Sequence, residues 1–483
     1  SERVPEDQNI AVLPLFNLDD TQEDQAYFSR GMTNEIIDEL TKIRSVRVAS
    51  FSSIIRYENY ATMDKSLRDI AAELGVRYLV AGSTQIYSEN DSFTLSIELI
   101  EPEESLQRIW HQKYTESMRD IVRIQSGIAR NIAQSLNIEL SDAELRDLGT
   151  LNTVSGEATR LLYEAESEFA KLNGAGFNRA IELLKQALDL DPNYAQAHTF
   201  MAWTYNQSGL TFYQDAINRP TRQTTTLFNQ HAERALELDP LSSDLYMVRA
   251  NFRLNHTGRL VDARNDVDRA LKINSWPRIP TKYCVCTAST IYLLLGDLAR
   301  AKELVEITSR VDPGNVFIDT EKAMIHLTEG RMTQAQSSMK VALTKTPIPF
   351  LNFLTGLTFY HDHQYQEALN YFLRAYHTEG RPIPHAVAYL ANTHRQLGNA
   401  SDALAFQKEL EDRMAEGEHH LHYIFAMMKM AAGEHDEALD LLETAQAQQE
   451  SALAYFLNLD PIFKPLYQDP RFIAIRSKMQ FQQ

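Results

Sequence analysis

Cysteine is nearly absent: the chain of 483 residues has two, Cys284 and Cys286. They lie two apart in a stretch that reads as helix, where a disulfide would need strained geometry, so both are expected free and partly buried. The lack of a disulfide framework fits a reducing compartment, and a large domain can also fold in the periplasm without one. Positive charge is short as well. Lys and Arg number 47 against 65 Asp and Glu, a formal net charge of −18, which argues against non-specific nucleic-acid binding. No apolar run approaches the roughly 18 residues needed to span a bilayer. There is no Gly-x-Gly-x-x-Gly after a strand, no Walker loop, no Gly-x-Ser-x-Gly and no His-Glu-x-x-His, so an enzyme has little to stand on. The start, Ser1-Glu2-Arg3-Val4-Pro5-Glu6, is polar and carries neither an initiator methionine nor a signal-peptide pattern. It is compatible with a mature chain, a cleaved one, or a piece of something longer.

What is present divides into two grammars, as expected for a chain too long for one ordinary core. Residues 9–138 alternate strand and helix signals. Asn9–Leu15 is a short apolar run suited to a buried strand. Residues 26–43 space Phe28, Met32, Ile36, Ile37, Leu40 and Ile43 as one face of a helix. Val46–Ala49 is a second strand, and Leu67–Leu74 a second helix stopped by Gly75. Arg77–Tyr87, Ser92–Ile100 and Ile109–Tyr114 form a meander, and Met118–Leu136 is a closing helix. The order β-α-β-α-β-β-β-α predicts one small mixed α/β domain over residues 1–140.

From about residue 156 the sequence is helical throughout and repeats. Gly258, Gly296, Gly330, Gly398 and Gly433 each stand five residues before an alanine: Ala263, Ala301, Ala335, Ala403 and Ala438. His363 and Ala368 fill the gap, giving steps of 38, 34, 33, 35 and 35 residues. A small residue closing a turn and another inside the next helix, at this period, mark a stack of helical hairpins. Helix ends recur with prolines just past them, at Pro192, Pro240, Pro313 and Pro347. Eight hairpins fit between 156 and 450. An insertion near 209–227 is expected to form a loop or a lengthened helix, and residues 451–483 to cap the last hairpin's apolar face.

The repeat resembles the tetratricopeptide repeat. Ala323, Gly356, Ala391 and Ala426 fall at its small eighth place, Tyr292 and Phe359 at the aromatic eleventh, and Pro313 and Pro347 at the thirty-second. The first half looks like the TolB amino-terminal-like domain. The carriers are Ile10-Ala-Val-Leu-Pro14, Phe28-Ser-Arg-Gly-Met-Thr33, Val48-Ala-Ser50 and Leu74-Gly-Val-Arg-Tyr-Leu-Val-Ala-Gly82. The tail Asp460-Pro-Ile-Phe-Lys-Pro-Leu466 with Asp469-Pro-Arg-Phe472 is similar to the ending of the same proteins. That resemblance implies the sensing region of a bacterial signalling protein. Its output would be a membrane-anchored winged-helix (ToxR-like) regulator, an adenylate cyclase or a protein kinase, and no such output domain stands in these residues. For the regulator the compartment would be periplasmic, otherwise cytoplasmic; the alternative role is a stand-alone adaptor of an envelope complex. A dimer is compatible with it, and no cofactor is implied.

By the same resemblance, five places on each first helix line a concave groove. They map to Phe252, Tyr283, Phe317, Met324, Phe350, Phe353 and Tyr360 in the middle, with Gln196, Trp203 and Asn206 at one flank and His385, Asn392 and Arg395 at the other. An apolar middle with polar edges suits an extended or helical peptide with hydrophobic anchors. It does not suit a carboxylate clamp of clustered Lys, Arg and Asn. Some of these aromatics could instead pack against a neighbouring helix, or against the α/β domain folded back. His361, His363, His419, His420 and His422 are locally dense, but only His419 and His422 have helical chelating spacing and nothing completes a metal site. Ser50, Ser52 and Ser53 follow a strand; helix capping is favoured there over anion binding.

Overall fold

The computed structural model describes residues 8–18, 26–87, 91–102, 107–148, 153, 155–210, 219–273, 286–311, 315, 317–377 and 380–480. Two compact units emerge: Ser1–Lys171 with Asn178–His198 and Ile307–Asn315, and Leu172–Phe177 with Thr199–Glu306 and Val316–Gln483.

The first unit holds the sheet. Its strands are β1 (Asn9–Val12), β2 (Phe16–Asn17), β3 (Arg47–Val48), β4 (Tyr78–Tyr87), β5 (Ser92–Glu101) and β6 (Gln107–Ser117), ordered β3-β1-β4-β5-β6 with β2 against β4. β1 pairs in parallel with β3 and β4, and β4-β5-β6 form the expected antiparallel meander. Parallel neighbours need crossovers, and α1 (Ala26–Thr41), then the short α2 (Phe51–Ile54) and α3 (Leu67–Leu74), supply them. Ser66 and Asp69 form a reciprocal capping box at the start of α3, and Gly75 ends it at φ 64°. Ser50 likewise caps α2 through Ser53 N–H, the structural role favoured for that turn. Phe28, Met32, Ile36, Ile37 and Leu40 of α1 and Ile121, Ile124, Ile128 and Ile132 of α4 (Ile121–Ser135) are buried in one core with the strands; α5 (Asp142–Asp147) follows.

That core also takes in a residue from the helical half. Tyr163, on α6 (Gly156–Phe169), is fully buried beside Phe28 and hydrogen-bonded to Gln125. Gly31 is its seat, because a Cβ there would overlap the Tyr163 ring. So α6 and most of α7 (Gly174–Leu190), the first hairpin, fall within the sheet-bearing unit, although their sequence grammar is that of the repeats.

The remaining hairpins are α8/α9 (Ala195–Ser208, Thr221–Leu238), α10/α11 (Ser243–Phe252, Leu260–Ile273), α12/α13 (Cys286–Leu294, Leu298–Val311), α14/α15 (Ile318–Thr328, Met332–Lys345), α16/α17 (Pro349–His361, Tyr365–Tyr376), α18/α19 (Pro384–Gln396, Ala400–Ala415) and α20/α21 (His422–Ala432, His435–Ala447). Together with α6/α7 these are the hairpins of the described residues, and the fold is a small α/β domain followed by a tetratricopeptide-type α-solenoid. No strand occurs among the described residues after Ser117. The chain closes with α22 (Leu453–Leu459), a 3-10 turn (Pro461–Leu466) and α23 (Pro470–Lys478).

The turn glycines do what their spacing implies. Gly258, Gly296, Gly330, Gly398 and Gly433 lie at φ between 64° and 83°, and His363 adopts the same left-handed conformation at 58°. The paired alanines, 263 to 438, are almost wholly buried where the two helices of a hairpin meet. Nothing lies within 4 Å of a Cβ built on Gly398, so the demand there is conformational alone. Gly398→Ala is therefore expected to cost about 1 kcal/mol by urea denaturation, the left-handed penalty of an L-residue. An unchanged midpoint would contradict that assignment.

Candidate functional site

The described residues assigned to the groove lie in the second unit, except Gln196, which falls in the first, and the structure differs from the accessible wall expected of them. Trp203, Asn206, Phe252, Met324, Phe353, Tyr360, His385 and Asn392 are all buried, from 0% to 8% exposed. Phe317, Phe350, Arg395 and Gln196 are half-buried. Tyr283 lies outside the described residues, as does Cys284; so do 211–218 of the insertion, whose far end is the 18-residue α9.

The reasons differ along the wall. Phe252 stacks on Phe228 of the preceding hairpin, ring centres 3.8 Å apart, and on His256. Asn206 donates to the Asn251 side chain (2.8 Å), which in turn donates to Thr287 (2.8 Å). These polar side chains are spent joining successive first helices. Further on, Ser289 and Thr290 of α12 donate to the Glu321 carboxylate of α14 at 2.5 and 3.0 Å. Burial raises the Glu321 carboxyl to about 7 against these lowering hydrogen bonds.

In its second half the wall is covered by the chain's own tail. Phe353 of α16 packs against Phe372, His385, Tyr389 and, from α22, Phe456. Phe456 also lies 4.5 Å from the His385 ring and 6.1 Å from that of Tyr423. Beyond α22, Asp460 is fully buried; it accepts from Tyr389 OH at 2.5 Å and pairs with His361 Nε2 at 2.8 Å. Burial and the adjacent carboxylate hold the Tyr389 phenol well above its usual value. At the other end, α10 runs into a wide turn, Arg253–Thr257, whose Asn255 carbonyl accepts from Ala452 N–H (2.6 Å). Thr221 donates to the Gln449 carbonyl (2.6 Å), and Asn458 to that of Leu294 (3.0 Å). On the last hairpin, α23 packs on α21, with Arg471 reaching Asp440 and Glu443, and the 3-10 turn packs on α20; α22 extends further, along the wall.

Three of the clustered histidines, His361, His420 and His422, belong to this same closure, while His363 pairs with Tyr365. Glu450, nearly fully buried, accepts from His422 Nδ1 (2.6 Å) and from the N–H groups of His422 and Tyr423, capping α20. That hydrogen bond raises the His422 pKa. His420 accepts from Ser451 N–H (3.2 Å) and bonds the Arg219 carbonyl (3.0 Å), and burial lowers its pKa. Among the described residues no group of three or more His, Cys, Asp and Glu is placed to hold a metal. No described helix is long and apolar enough to cross a membrane.

Glu321 gives a pH signature. A carboxyl whose folded pKa stands near 7 above an ordinary 4.5 retains its proton longer in the folded state, so its contribution to stability falls as pH rises through that window. Glu321→Gln is expected to remove this loss, gaining about 3 kcal/mol on the parent between pH 4.5 and pH 7 in paired denaturation curves. Parallel curves for the two proteins would refute it.

The fold and the wall define a class, a tetratricopeptide-type solenoid with a self-covered inner face. No known family profile matches the chain. It is similar to a "Putative adenylate cyclase 3" of Rhizobium meliloti (strain 1021), 27% identical over 237 residues. The match takes in 49% of this chain and 38% of the relative, so the chain spans well under half of that protein's length. Similar solved structures include human IFIT1, at 14% identity over 74% of this chain and 86% of that one, TM-score 0.45. Another is a thermophilic TPR protein of Thermus thermophilus, at 16% identity over 50% of this chain and 98% of that one, TM-score 0.26.

Proposed function

We propose that the chain is the non-enzymatic, protein-sensing region of a bacterial signalling protein, binding a protein or peptide helix along its inner wall. The observation that carries this reading is that the wall already grips a helix, α22, through an aromatic anchor and two buried carboxylates. A surface with those seats recognises polypeptide rather than transforming a small substrate.

Two outputs are consistent with it. The TolB-like segments of the first half favour a membrane-anchored, ToxR-like transcriptional regulator, with this region in the periplasm. The likeness to a putative adenylate cyclase favours the regulatory part of a cyclase, with this region in the cytoplasm. The natural coding sequence upstream of Ser1 separates them. A winged helix followed by an apolar segment supports the first, and a class III cyclase domain the second. A protein with neither, and with catalytic turnover in this region alone, would contradict both.

A further inference from the structure

Residues 449–466 occupy the wall as a ligand would, and three observations bear on whether they are permanent core or an exchangeable strap. First, the strap enters through backbone held in the left-handed region by residues with a Cβ: Gln449 at φ 53° and Ala452 at φ 64°. Such conformations cost about 1–2 kcal/mol each and persist where the surroundings impose them. Second, the fit is incomplete. Buried polar atoms with no partner remain along the wall and strap: Asn206 Oδ1, His256 Nδ1, Asn392 Nδ2 and Ser451 Oγ. A cavity of about 230 Å³ remains beside the start of α22, among Asn255, His256, Gln449, Glu450 and Leu453. Third, within a largely buried strap, two side chains four residues apart enter side-chain seats on the wall. Phe456 sits among Phe353, His385 and Tyr423, and Asp460, four residues on, sits on Tyr389 and His361.

We propose that α22 is a self-ligand that holds the wall closed, and that a partner helix bearing an aromatic residue four positions before a carboxylate exchanges with it. This rests on the protein-sensing reading and adds the recognition chemistry and an autoinhibited resting state. One aromatic ring enters the Phe353/His385/Tyr423 seat, and one carboxylate takes the Tyr389 hydroxyl and the His361 imidazole. Strain at Ala452 and the unpartnered wall atoms lower the cost of releasing the strap.

The test uses the full chain and a fluorescein-labelled peptide of residues 449–467, followed by fluorescence anisotropy. The peptide is expected to bind Phe456→Ala at least ten times more tightly than the parent, and Ala452→Gly, which relieves the left-handed strain, more weakly than the parent. A peptide with alanine at both the Phe456 and Asp460 positions is expected not to bind. Phe456→Ala with the parent's circular dichroism and no peptide binding would overturn the proposal. If Phe456→Ala loses its helical signal, the parent decides: binding that weakens in Ala452→Gly supports exchange, and absence of binding overturns it. Such a failure would leave the upstream-domain test of the signalling reading untouched, so the two can fail separately.

Discussion

Tyr163→Ala is expected to lower the unfolding free energy of the sheet-bearing unit by about 3–5 kcal/mol, the range for emptying a buried aromatic site. The ring is fully buried between Phe28 and the Gly31 backbone, so its removal leaves a hole that two helices and a sheet close only in part. The loss includes a polar component. Gln125, itself buried, donates to the Tyr163 hydroxyl, and without it the desolvated amide keeps only a weak contact to Met32 Sδ (3.7 Å), a loss of about 1–3 kcal/mol. Tyr163→Phe isolates that component and is expected to cost no more than it. The measurement is guanidinium denaturation followed by near-ultraviolet dichroism. A Tyr163→Ala loss under about 1 kcal/mol would mean that α6 does not dock in the sheet's core.

Phe353→Ala is the second large effect, again about 3–5 kcal/mol, and here it also reaches the strap. Phe353 is fully buried and meets aromatic rings from α17, α18 and α22. Its removal opens both the hairpin stack and the seat of Phe456. Amide exchange over Leu453–Leu459 should accelerate along with the global loss, whereas Gly398→Ala, at a remote exposed turn, should leave those amides unaffected relative to global stability. Destabilisation without any change at Leu453–Leu459 would separate Phe353 from the strap.

The hairpin stack was legible because its signals are local. A turn that needs positive φ selects glycine, and a helix crossing at close range selects alanine, so both recur at the period of the motif. His363 shows the limit of the rule, since there the left-handed turn is made by a residue with a side chain. The α/β half was legible from alternation and from the α1 stripe of Phe28, Met32, Ile36 and Leu40. What escaped was the wall's coverage. An apolar inner face reads the same whether open to a partner or already filled, and groove positions taken from a repeat pattern specify direction, not exposure. Phe252 and Asn206 accordingly pack against neighbouring helices. One signal was present in the tail. Leu453-Ala-Tyr-Phe-Leu-Asn-Leu459 is apolar around nearly its whole circumference, and a helix of that kind is buried on more than one side. The partners of two histidines were not legible either: His422 meets Glu450 and His361 meets Asp460, pairs distant in sequence that form only on folding.

Hydrogen–deuterium exchange on the full chain, resolved to peptides over 449–467, tests most directly whether the inner wall is filled by the chain's own tail. The account predicts that amides of Leu453–Leu459 exchange far more slowly than those of an unstructured peptide, because they lie buried against the wall, and no more slowly than those of Pro349–His361, because the strap opens without unfolding α16. Exchange of that segment at the rate of an unstructured peptide, with Pro349–His361 still protected, would contradict it.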